Sequence, residues 1–349
     1  MRFSIIAALA GIASTAPTDA DLQTFNSTLT ARTGAVYKVK DLTGPSLTGK
    51  FQAGFTDLGI PARTPDGRLI FVCGDTFADR VGGANWRAPI GLYSSNANLD
   101  QVTIDGCVGG AAAVGLVPEG HQGGTTAIPS DVFAAGGKLY MNLMRGVIYK
   151  TDHSDFWVSE DNGNTWTYLF LWPGNMYNYA FQQKTCAVGD DNYVYCLSTV
   201  FNRDLVSNLL LHRVPVGSLG DANAWQPWGY ASGAWAWGNP PTTIAPARRW
   251  GEISWRNLGG GKWVFTWLNM EPLGIHYMVL SGPTDNLFAA PERVLILPAA
   301  NLQSEHDNYV ASPYGGFIFP GSTVDKFDFA VSQWNGDTYR VMQFRADGL

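Results

Sequence analysis

The segment Ser159-Glu160-Asp161-Asn162-Gly163-Asn164-Thr165-Trp166 lies between two strand-like runs, residues 155–159 and 166–170. Its residue types are those of a tight turn, because Asp161 can accept hydrogen bonds from the turn's backbone amides and Gly163 can adopt a positive φ. Trp166 offers a large apolar surface. The segment therefore predicts a β-hairpin in which Trp166 packs between sheets.

The same eight residues match the Asp-box pattern, Ser-x-Asp-x-Gly-x-Thr-Trp. They resemble the hairpin turn found in sialidases and other propellers, where the motif is structural. A calcium loop of the EF-hand kind would use similar Asp, Asn and Gly residues, but the bidentate Glu that such a loop needs downstream is missing. We therefore interpret the motif as a turn and not as a catalytic site.

Outward from this hairpin, short apolar or alternating runs bounded by Gly, Asn, Asp and Pro recur along the chain, as in β-rich proteins. They group into five sets of up to four strands, and about 50 to 70 residues per set is typical of propeller blades. The sets comprise residues 51–57, 69–74, 90–94 and 101–104; 126–133, 138–144, 155–159 and 166–170; and runs within 180–228, 251–297 and 308–344.

The predicted fold is accordingly all-β, a five-bladed β-propeller that forms a single domain over residues 35–349. A strand at residues 35–39 is expected to join the last set. This pairing would close the ring and remove an open sheet edge.

The composition narrows the functional classes. With 46% hydrophobic and 15% charged residues, the chain is neither disordered nor a coiled coil. The net charge is −6 and no run of Lys or Arg occurs, which argues against nucleic acid or an anionic membrane surface as a partner, because both require clustered cations. The sequence has no nucleophile elbow, phosphate loop or metal-ligand spacing, so we expect no cofactor and no metal.

The N-terminal region has the order of a secretory signal peptide: a Met-Arg start, an apolar run, and small residues up to Ala16. We expect residues 1–16 to be this signal, residues 17–34 to be a polar leader, and the protein to be secreted to the extracellular space as a soluble glycoprotein. The alternative is a buried N-terminal helix. Asn26 begins an Asn-Ser-Thr glycosylation sequon within the leader.

Four cysteines form an even set, which in a secreted protein favours two disulfides. Cys186 and Cys196 flank the turn-like residues 189–192, so a hairpin would place them nearly opposite each other. This pairing leaves Cys73 with Cys107. A thiol nucleophile or a metal site is the alternative use of these residues.

Two aspartates end apolar strand-like runs and are the candidate catalytic residues. Asp57 follows residues 51–56, and Asp75 follows residues 69–74. On neighbouring strands of one blade they could converge, and a carboxylate pair is what glycosidic cleavage requires: one group protonates the leaving oxygen, and the other attacks the anomeric carbon or activates water. The alternative is that each Asp only terminates a strand or caps a turn.

Several motifs resemble glycoside hydrolase family 183, formerly called domain of unknown function 4185. The opening matches are Thr56-Asp57-Leu58-Gly59, Gly74-Asp75-Thr76-Phe77 and Trp86-Arg87-Ala88-Pro89. Later matches are Ile128-Pro129-Ser130, Gly251-Glu252-Ile253-Ser254, Lys262-Trp263-Val264, and a closing stretch from Pro313-Tyr314-Gly315-Gly316 through Val331-Ser332-Gln333-Trp334-Asn335 to Tyr339-Arg340-Val341-Met342. Together they cover about residues 50 to 346.

This resemblance implies a five-bladed propeller that hydrolyses α-linked D-arabinofuranosyl chains in an endo-acting manner, as in mycobacterial arabinogalactan and lipoarabinomannan. The paired aspartates of the family fall on Asp57 and Asp75. The expected enzyme is therefore an endo-D-arabinanase-like glycosidase.

Six further residues are candidate substrate contacts: Trp86, Arg87, Asp131, Trp235, Trp237 and Glu252. Trp86 and Arg87 could instead form a cation–π packing pair. Asp131 could equally be a hydrogen-bonding residue at a strand end.

The two tryptophans lie in a stretch rich in Gly, Trp and Pro, residues 229–241, and could stack on a sugar or fill a gap between blades. Glu252 could bind sugar hydroxyls or act as an acid, unless it pairs with Arg249 or Arg256. His121 could line the mouth of the channel.

Two other functions remain open at this stage. A sialidase shares the Asp-box but would carry several such motifs and an arginine cluster, and one motif is present. A carbohydrate-binding propeller without catalysis would explain the 13 Trp residues equally well. In each case the expected partner is a polysaccharide or oligosaccharide, and the expected state is a monomer.

Overall fold

The computed structural model describes residues 34–118 and 126–349. The expected signal peptide and polar leader, Asn26 and His121 lie outside these residues. The described chain contains β1 (Val36–Asp41), β2 (Phe55–Thr56), β3 (Ile60–Arg63), β4 (Leu69–Cys73), β5 (Thr76–Phe77), β6 (Ile90–Ser94), β7 (Gly106–Cys107), β8 (Thr126–Ala135), β9 (Lys138–Val147), β10 (Lys150–Ser159), β11 (Thr167–Pro173), β12 (Gln183–Val188), β13 (Tyr193–Thr199), β14 (Val206–Ser207), β15 (Leu210–Pro215), β16 (Gln226–Ala231), β17 (Ala234–Trp237), β18 (Arg248–Gly259), β19 (Lys262–Met270), β20 (Leu273–Leu280), β21 (Arg293–Ala299), β22 (Tyr309–Ala311), β23 (Pro313–Ile318), β24 (Phe327–Asn335) and β25 (Thr338–Ala346).

Short 3-10 helices occur at Gly49–Phe51, Val216–Ser218, Ala222–Ala224 and Leu302–Ser304. No helix within the described ranges is long and apolar enough to cross a membrane.

The strands form five sheets arranged as the blades of a propeller, which confirms the predicted fold. In strand order these are blade 1 (β3-β4-β6-β7), blade 2 (β8-β9-β10-β11), blade 3 (β12-β13-β15-β16-β17), blade 4 (β18-β19-β20-β21, flanked by β14 and β22) and blade 5 (β23-β24-β25-β1). The first-named strand of each blade is the inner strand, and inner strands of neighbouring blades contact one another around the axis. A separate two-stranded sheet is formed by β2, which precedes blade 1 in the chain, and β5, which lies between β4 and β6.

The ring closes where the N-terminal strand pairs with the C-terminal strand. β1 lies antiparallel to β25, with Val36 opposite Ala346 and Tyr37 opposite Arg345. This confirms the prediction that a strand near residues 35–39 completes the last blade. Because the two ends of the described chain share one sheet, their backbone hydrogen bonds join the first strand to the last.

Blades pack face to face through large apolar side chains, so both faces of many strands are buried. All five residues of β4 are buried, which matches its continuous apolar sequence. Phe71 on β4 contacts Phe319, which follows β23, with ring centroids 5.6 Å apart. Each such side chain contributes roughly 1.5–3 kcal/mol through burial.

The hairpin turn at residues 159–166 connects β10 to β11 within blade 2 and packs against blade 1. Asp161 accepts hydrogen bonds from Thr165 N at 2.9 Å and from Thr165 Oγ1 at 2.7 Å. Gly163 has φ +90°, and a Cβ built there would lie 2.5 Å from Ile70 Cδ1 on β4. Trp166 is buried, and its indole N–H donates to Gly163 O at 3.0 Å.

Blade 1 differs from the prediction at both of its edges. Residues 51–57 do not form its inner strand, because Gly49–Phe51 is a 3-10 turn and Phe55–Thr56 pairs with β5 instead. The inner strand is β3, which begins after the turn that contains Asp57. The outer strand is β7 and not residues 101–104.

One of the two predicted disulfides forms. Cys186 and Cys196 lie directly opposite each other on β12 and β13, with Cα atoms 4.1 Å apart, and are bonded. Cys73 and Cys107 are buried free thiols, so the prediction that they pair is wrong. Cys73 is on β4 and Cys107 is on β7, with β6 between them. Two strand spacings amount to about 9.6 Å, which exceeds the reach of a disulfide.

A buried ion pair connects the inner strands of three blades. Arg256 on β18 donates to both carboxyl oxygens of Asp131 on β8, at 2.7 and 3.0 Å. The same carboxyl accepts from Cys186 N at 2.7 Å and Thr185 Oγ1 at 3.1 Å, both on β12. Asp131 is 1% exposed, so it joins blades here and does not contact substrate as the sequence suggested.

Replacing Asp131 with Ala would leave the Arg256 guanidinium buried without its carboxylate. We expect Asp131→Ala to lower the free energy of unfolding by about 3–5 kcal/mol, measured by urea titration. Asp66→Ala is the matched control, because the Asp66–Arg68 pair is more than one-third exposed on both sides and is expected to cost less than about 1 kcal/mol. Equal losses in the two variants would contradict this role for Asp131.

Candidate active site

Asp57 lies in a constrained turn between β2 and β3. The two residues after it, Leu58 and Gly59, have φ values of +58° and +61°. Gly59 N and Gly74 N both donate to Asp57 O, at 2.8 and 3.2 Å. A left-handed conformation at a non-Gly residue such as Leu58 costs about 1–3 kcal/mol and persists only where the surroundings impose it, as often at functional sites.

Two tyrosines of blade 5 contact the Asp57 carboxyl. Tyr314, at the start of β23, donates its hydroxyl to Asp57 Oδ2 at 3.0 Å, and Tyr339 on β25 is also a hydrogen-bond partner. Burial raises the pKa of Tyr314 and of Tyr339 well above the usual value. Both hydroxyls therefore stay protonated and can donate.

The other oxygen of this carboxyl has a different environment. Asp57 Oδ1 is buried and has no hydrogen-bond partner among the described residues. It lies against Gly74, where a built Cβ would be 2.5 Å away from it. Glycine at position 74 therefore leaves the space that the Asp57 side chain occupies.

Asp75 is placed beside Asp57 by the small β2-β5 sheet. Thr56 pairs with Thr76 in antiparallel register, and their hydroxyl oxygens are 2.6 Å apart. Asp57 directly follows Thr56 and Asp75 directly precedes Thr76, so the two aspartates are brought together by the β2-β5 sheet and not by neighbouring strands of one blade, as the sequence had suggested. Asp75 is exposed, and Trp86 donates its indole N–H to Asp75 Oδ1 at 2.9 Å.

The two aspartates have different electrostatic environments. Burial, followed by the negative charge of Asp75, raises the pKa of Asp57 to about 7, although hydrogen bonds from Tyr339 and Tyr314 oppose the shift. Enzymes place two carboxyl groups in different surroundings so that their pKa values differ, and one group can then act as an acid while the other acts as a base or nucleophile. The arrangement can therefore present one proton donor and one carboxylate near neutral pH.

Glu252 and Arg203 form an ion pair next to these residues. Arg203, in the connection after β13, contacts Glu252 Oε1 through its guanidinium. The Arg203 guanidinium also lies 5.3 Å from the centre of the Tyr314 ring, and the charge of Glu252 contributes to the raised pKa of Asp57. Glu252 is thus near the Asp57 carboxyl, but its partner is neither Arg249 nor Arg256.

The remaining sequence candidates divide into two groups. Trp86 and Arg87 belong to the site region: Trp86 binds Asp75, and Arg87 pairs through its backbone with Thr76 while its guanidinium contacts Gln52 O. Trp235 and Trp237 do not belong to the site region, because they lie on β17, the outermost strand of blade 3. The structure therefore does not place these two tryptophans with Asp57.

Sequence reasoning missed three side chains of this site: Tyr314, Tyr339 and Arg203. Tyr314 and Tyr339 each stand inside a motif that carries the family resemblance, so their position there was the available signal. Arg203 had none, since residues 200–209 show no pattern that separates it from other surface arginines. In the part of the chain that the structure describes, no three His, Cys, Asp or Glu residues come together as a metal-binding group.

Comparison with known protein families assigns this propeller to a family. The family described as Domain of unknown function (DUF4185) matches residues 43–345, which include every residue of the site. The chain belongs to the DUF4185 family.

Curated relatives of this DUF4185 chain come from bacteria and fungi. An uncharacterised 35.9 kDa protein of Mycolicibacterium smegmatis is 28% identical over 329 residues, covering 86% of this chain and 95% of that protein. Notoamide biosynthesis cluster protein J of Aspergillus sp. (strain MF297-2) is 27% identical over 303 residues, covering 80% of this chain and 79% of that protein.

Solved structures similar to this DUF4185 chain include hydrolases. A protein of Bacteroides ovatus provisionally assigned as a hydrolase has a TM-score of 0.63 at 12% identity, covering 93% of this chain and 94% of that one. The exo-β-1,3-galactanase 1,3Gal43A from Clostridium thermocellum has a TM-score of 0.52 at 11% identity, covering 88% and 61%. At these identities the likeness shows a fold that is shared with glycoside hydrolases.

The electrostatic coupling of the two aspartates can be measured directly. We expect Asp75→Asn to lower the pKa of Asp57, because it removes a like charge, in a carbon-13 NMR titration of the Asp57 carboxyl. Asp79→Asn is the control, since Asp79 is an exposed acidic residue four positions further along the chain than Asp75 and is not among the groups that shift the pKa of Asp57. An unchanged Asp57 pKa in Asp75→Asn would show that the two carboxyls are not coupled.

Proposed function

We propose that this protein is a secreted glycoside hydrolase that cleaves α-D-arabinofuranosyl linkages within a polysaccharide. The observation that carries the proposal is the carboxyl pair, with Asp57 partly buried and shifted to a pKa of about 7 while Asp75 is exposed. Glycosidases require two carboxyl groups in different protonation states on either side of the scissile bond.

The environments assign roles to the two residues. Asp57 is the general acid: it donates its proton to the glycosidic oxygen as the bond between that oxygen and the anomeric carbon breaks. Asp75 is the second carboxylate. It either acts as the base that activates a water molecule for attack on the anomeric carbon, or attacks that carbon itself as the nucleophile. Overall one water is consumed, and Asp57 regains its proton at the end of the cycle.

Neighbouring residues support these roles. Tyr314 and Tyr339 orient the Asp57 carboxyl, and the Trp86 indole orients Asp75. Glu252 maintains negative charge near Asp57, which favours the protonated form of the acid. Glu252, Trp86 and Arg87 are the side chains that we propose to contact the bound sugar.

The substrate class rests on the family. The DUF4185 motifs around Asp57 and Asp75 resemble those of endo-acting D-arabinan hydrolases, and one relative belongs to a mycobacterial species, a group whose cell walls contain arabinogalactan and lipoarabinomannan. The solved propellers include an enzyme that cleaves a neutral polysaccharide. These findings support a neutral furanoside polymer as substrate.

Secretion is part of the proposal. Its support is the signal-like order of residues 1–16 together with the Cys186–Cys196 disulfide, which is favoured in oxidising compartments. A polymer outside the cell could be reached only by an exported enzyme.

Product analysis on mycobacterial arabinogalactan tests the proposal. We expect oligosaccharides from the wild-type protein, and losses of about 10³-fold or more in Asp57→Asn and Asp75→Asn, since each removes a group that acts in the transition state. Asp79→Asn is expected to retain activity. Because Asp57 must be protonated, kcat/KM should fall as the pH rises through about 7.

The role assignment is tested with an aryl α-D-arabinofuranoside, whose leaving group needs no proton. We expect Asp57→Asn to lose much less activity on this substrate than on the polymer, and Asp75→Asn to be impaired on both. The reverse pattern would exchange the two roles. Absence of product from the wild type on every glycan would instead favour a carbohydrate-binding propeller.

A further inference from the structure

Blade 3 carries a fifth strand, β17, beyond the four strands of blades 1, 2 and 5. β17 pairs with β16 to form a two-stranded ribbon at the outer edge of the blade. Four strand spacings separate β17 from the inner strand β12, which is about 19 Å. The ribbon is therefore outside the Asp57 site.

The register of this ribbon places four aromatic side chains on one face. Trp228 lies opposite Trp237, and Tyr230 lies opposite Trp235, and side chains two apart on a strand share a face. Gly229 points to the other face, where a built Cβ would lie 1.8 Å from Pro240 O. The returning chain thus covers one face of the ribbon and leaves the aromatic face uncovered by it.

The inner half of this aromatic face is packed and rigid. The Arg213 guanidinium lies 4.4 Å from the ring centre of Trp237 and 4.4 Å from that of Tyr193. Tyr195 also contacts Trp237, with ring centroids 5.7 Å apart. Trp237 therefore fills space against the core, as one of the two sequence interpretations proposed.

The outer half is open to solvent. Tyr230 is 53% exposed and Trp235 is 41% exposed. Trp235 is stacked on Trp228 at 5.9 Å with an interplanar angle of 20°, and it contacts Tyr230 at 5.8 Å. These contacts fix the two exposed rings before any ligand arrives, which reduces the entropy lost on binding.

The segment that carries these rings has no charged residue, and the charge that the contacts place on the aromatic face is the Arg213 guanidinium on its inner half, at Trp237. Residues 222–247 contain no Asp, Glu, Lys, Arg or His and are rich in Gly, Ala, Ser, Thr, Asn and Pro. A charge-free segment offers nothing to a phosphorylated, acidic or basic partner, but it matches a neutral polyol, whose C–H faces can lie on aromatic rings while its hydroxyls meet neutral polar groups.

We infer that Tyr230 and Trp235 form a second, non-catalytic binding site for a neutral polysaccharide. The identity of the polymer rests on the proposed function, namely the chain that the Asp57 site cleaves. A polymer that is long enough to contact both sites at once gains affinity from the second contact, whereas an oligosaccharide shorter than the distance between the sites does not. The site therefore distinguishes polymeric from short substrates.

The test measures binding and turnover separately. Affinity for soluble mycobacterial arabinogalactan is measured by affinity electrophoresis in the Asp75→Asn background, so that the polymer is not degraded. We expect Trp235→Ala and Tyr230→Ala each to weaken this binding by about tenfold. With Asp75 restored, both variants should keep kcat/KM for an arabinofuranosyl tetrasaccharide within twofold of the parent.

Tyr168→Ala is the matched control, since Tyr168 is 45% exposed on β11, the outermost strand of blade 2, and is expected to change neither quantity. Circular dichroism verifies that each variant is folded, and Tyr230→Ala decides the question if Trp235→Ala is unfolded. Polymer affinity within twofold of the parent, or equal losses on polymer and tetrasaccharide, would overturn the inference. A Trp235-dependent dimer in sedimentation would also overturn it, because a second copy would then cover this face.

The two proposals fail separately. If the wild type cleaves no arabinan, the proposed function fails, and the same variants are then compared by affinity electrophoresis on a panel of neutral polysaccharides. If a polysaccharide of the panel retards the wild-type protein and this retardation depends on Trp235, the binding site is supported. If no polysaccharide of the panel retards the wild-type protein, the binding site is overturned.

Discussion

The pairing of β1 with β25 is the constraint on which the other features depend. Each blade is a separate sheet that packs against its neighbours, and the first and last described strands share blade 5. Closure fixes the distance from β23 and β25 to the turn before β3. Tyr314 and Tyr339 come from the former and Asp57 from the latter, so the hydrogen bonds to the catalytic candidate join the last blade to the turn before the first.

The site combines features that would each be unfavourable in isolation. A carboxyl oxygen of Asp57 is buried without a partner among the described residues, Leu58 adopts a left-handed conformation, and the negative charge of Asp75 acts on the Asp57 carboxyl. Such costs are compensated by packing elsewhere and are concentrated at functional sites. Burial and the charge of Asp75 raise the pKa of Asp57 to about 7. By contrast, Asp131 is more deeply buried, but its carboxylate is paired with Arg256, and this pair joins blades.

Local patterns in the sequence predicted the propeller fold and singled out the two aspartates as candidates. Alternating runs and turn residues indicated the blades, and the ends of two apolar runs indicated Asp57 and Asp75. Contacts between distant segments had no such signal. The Arg203–Glu252 pair spans 49 positions and the Asp131–Arg256 pair spans 125. Cys73 and Cys107 were paired by elimination, but an intervening strand separates them. Trp235 and Trp237 were correctly seen as unusual, yet only the register shows that they lie on an outer strand.

The central claim is that Asp57 and Asp75 flank the bond that is cleaved. Its most direct test is a crystal structure of Asp75→Asn with a bound arabinofuranosyl oligosaccharide. We expect a glycosidic oxygen within hydrogen-bond distance of the Asp57 carboxyl, with residue 75 facing the adjacent anomeric carbon. A sugar bound only elsewhere, such as at the β16-β17 ribbon, with the space between residues 57 and 75 unoccupied, would contradict the claim.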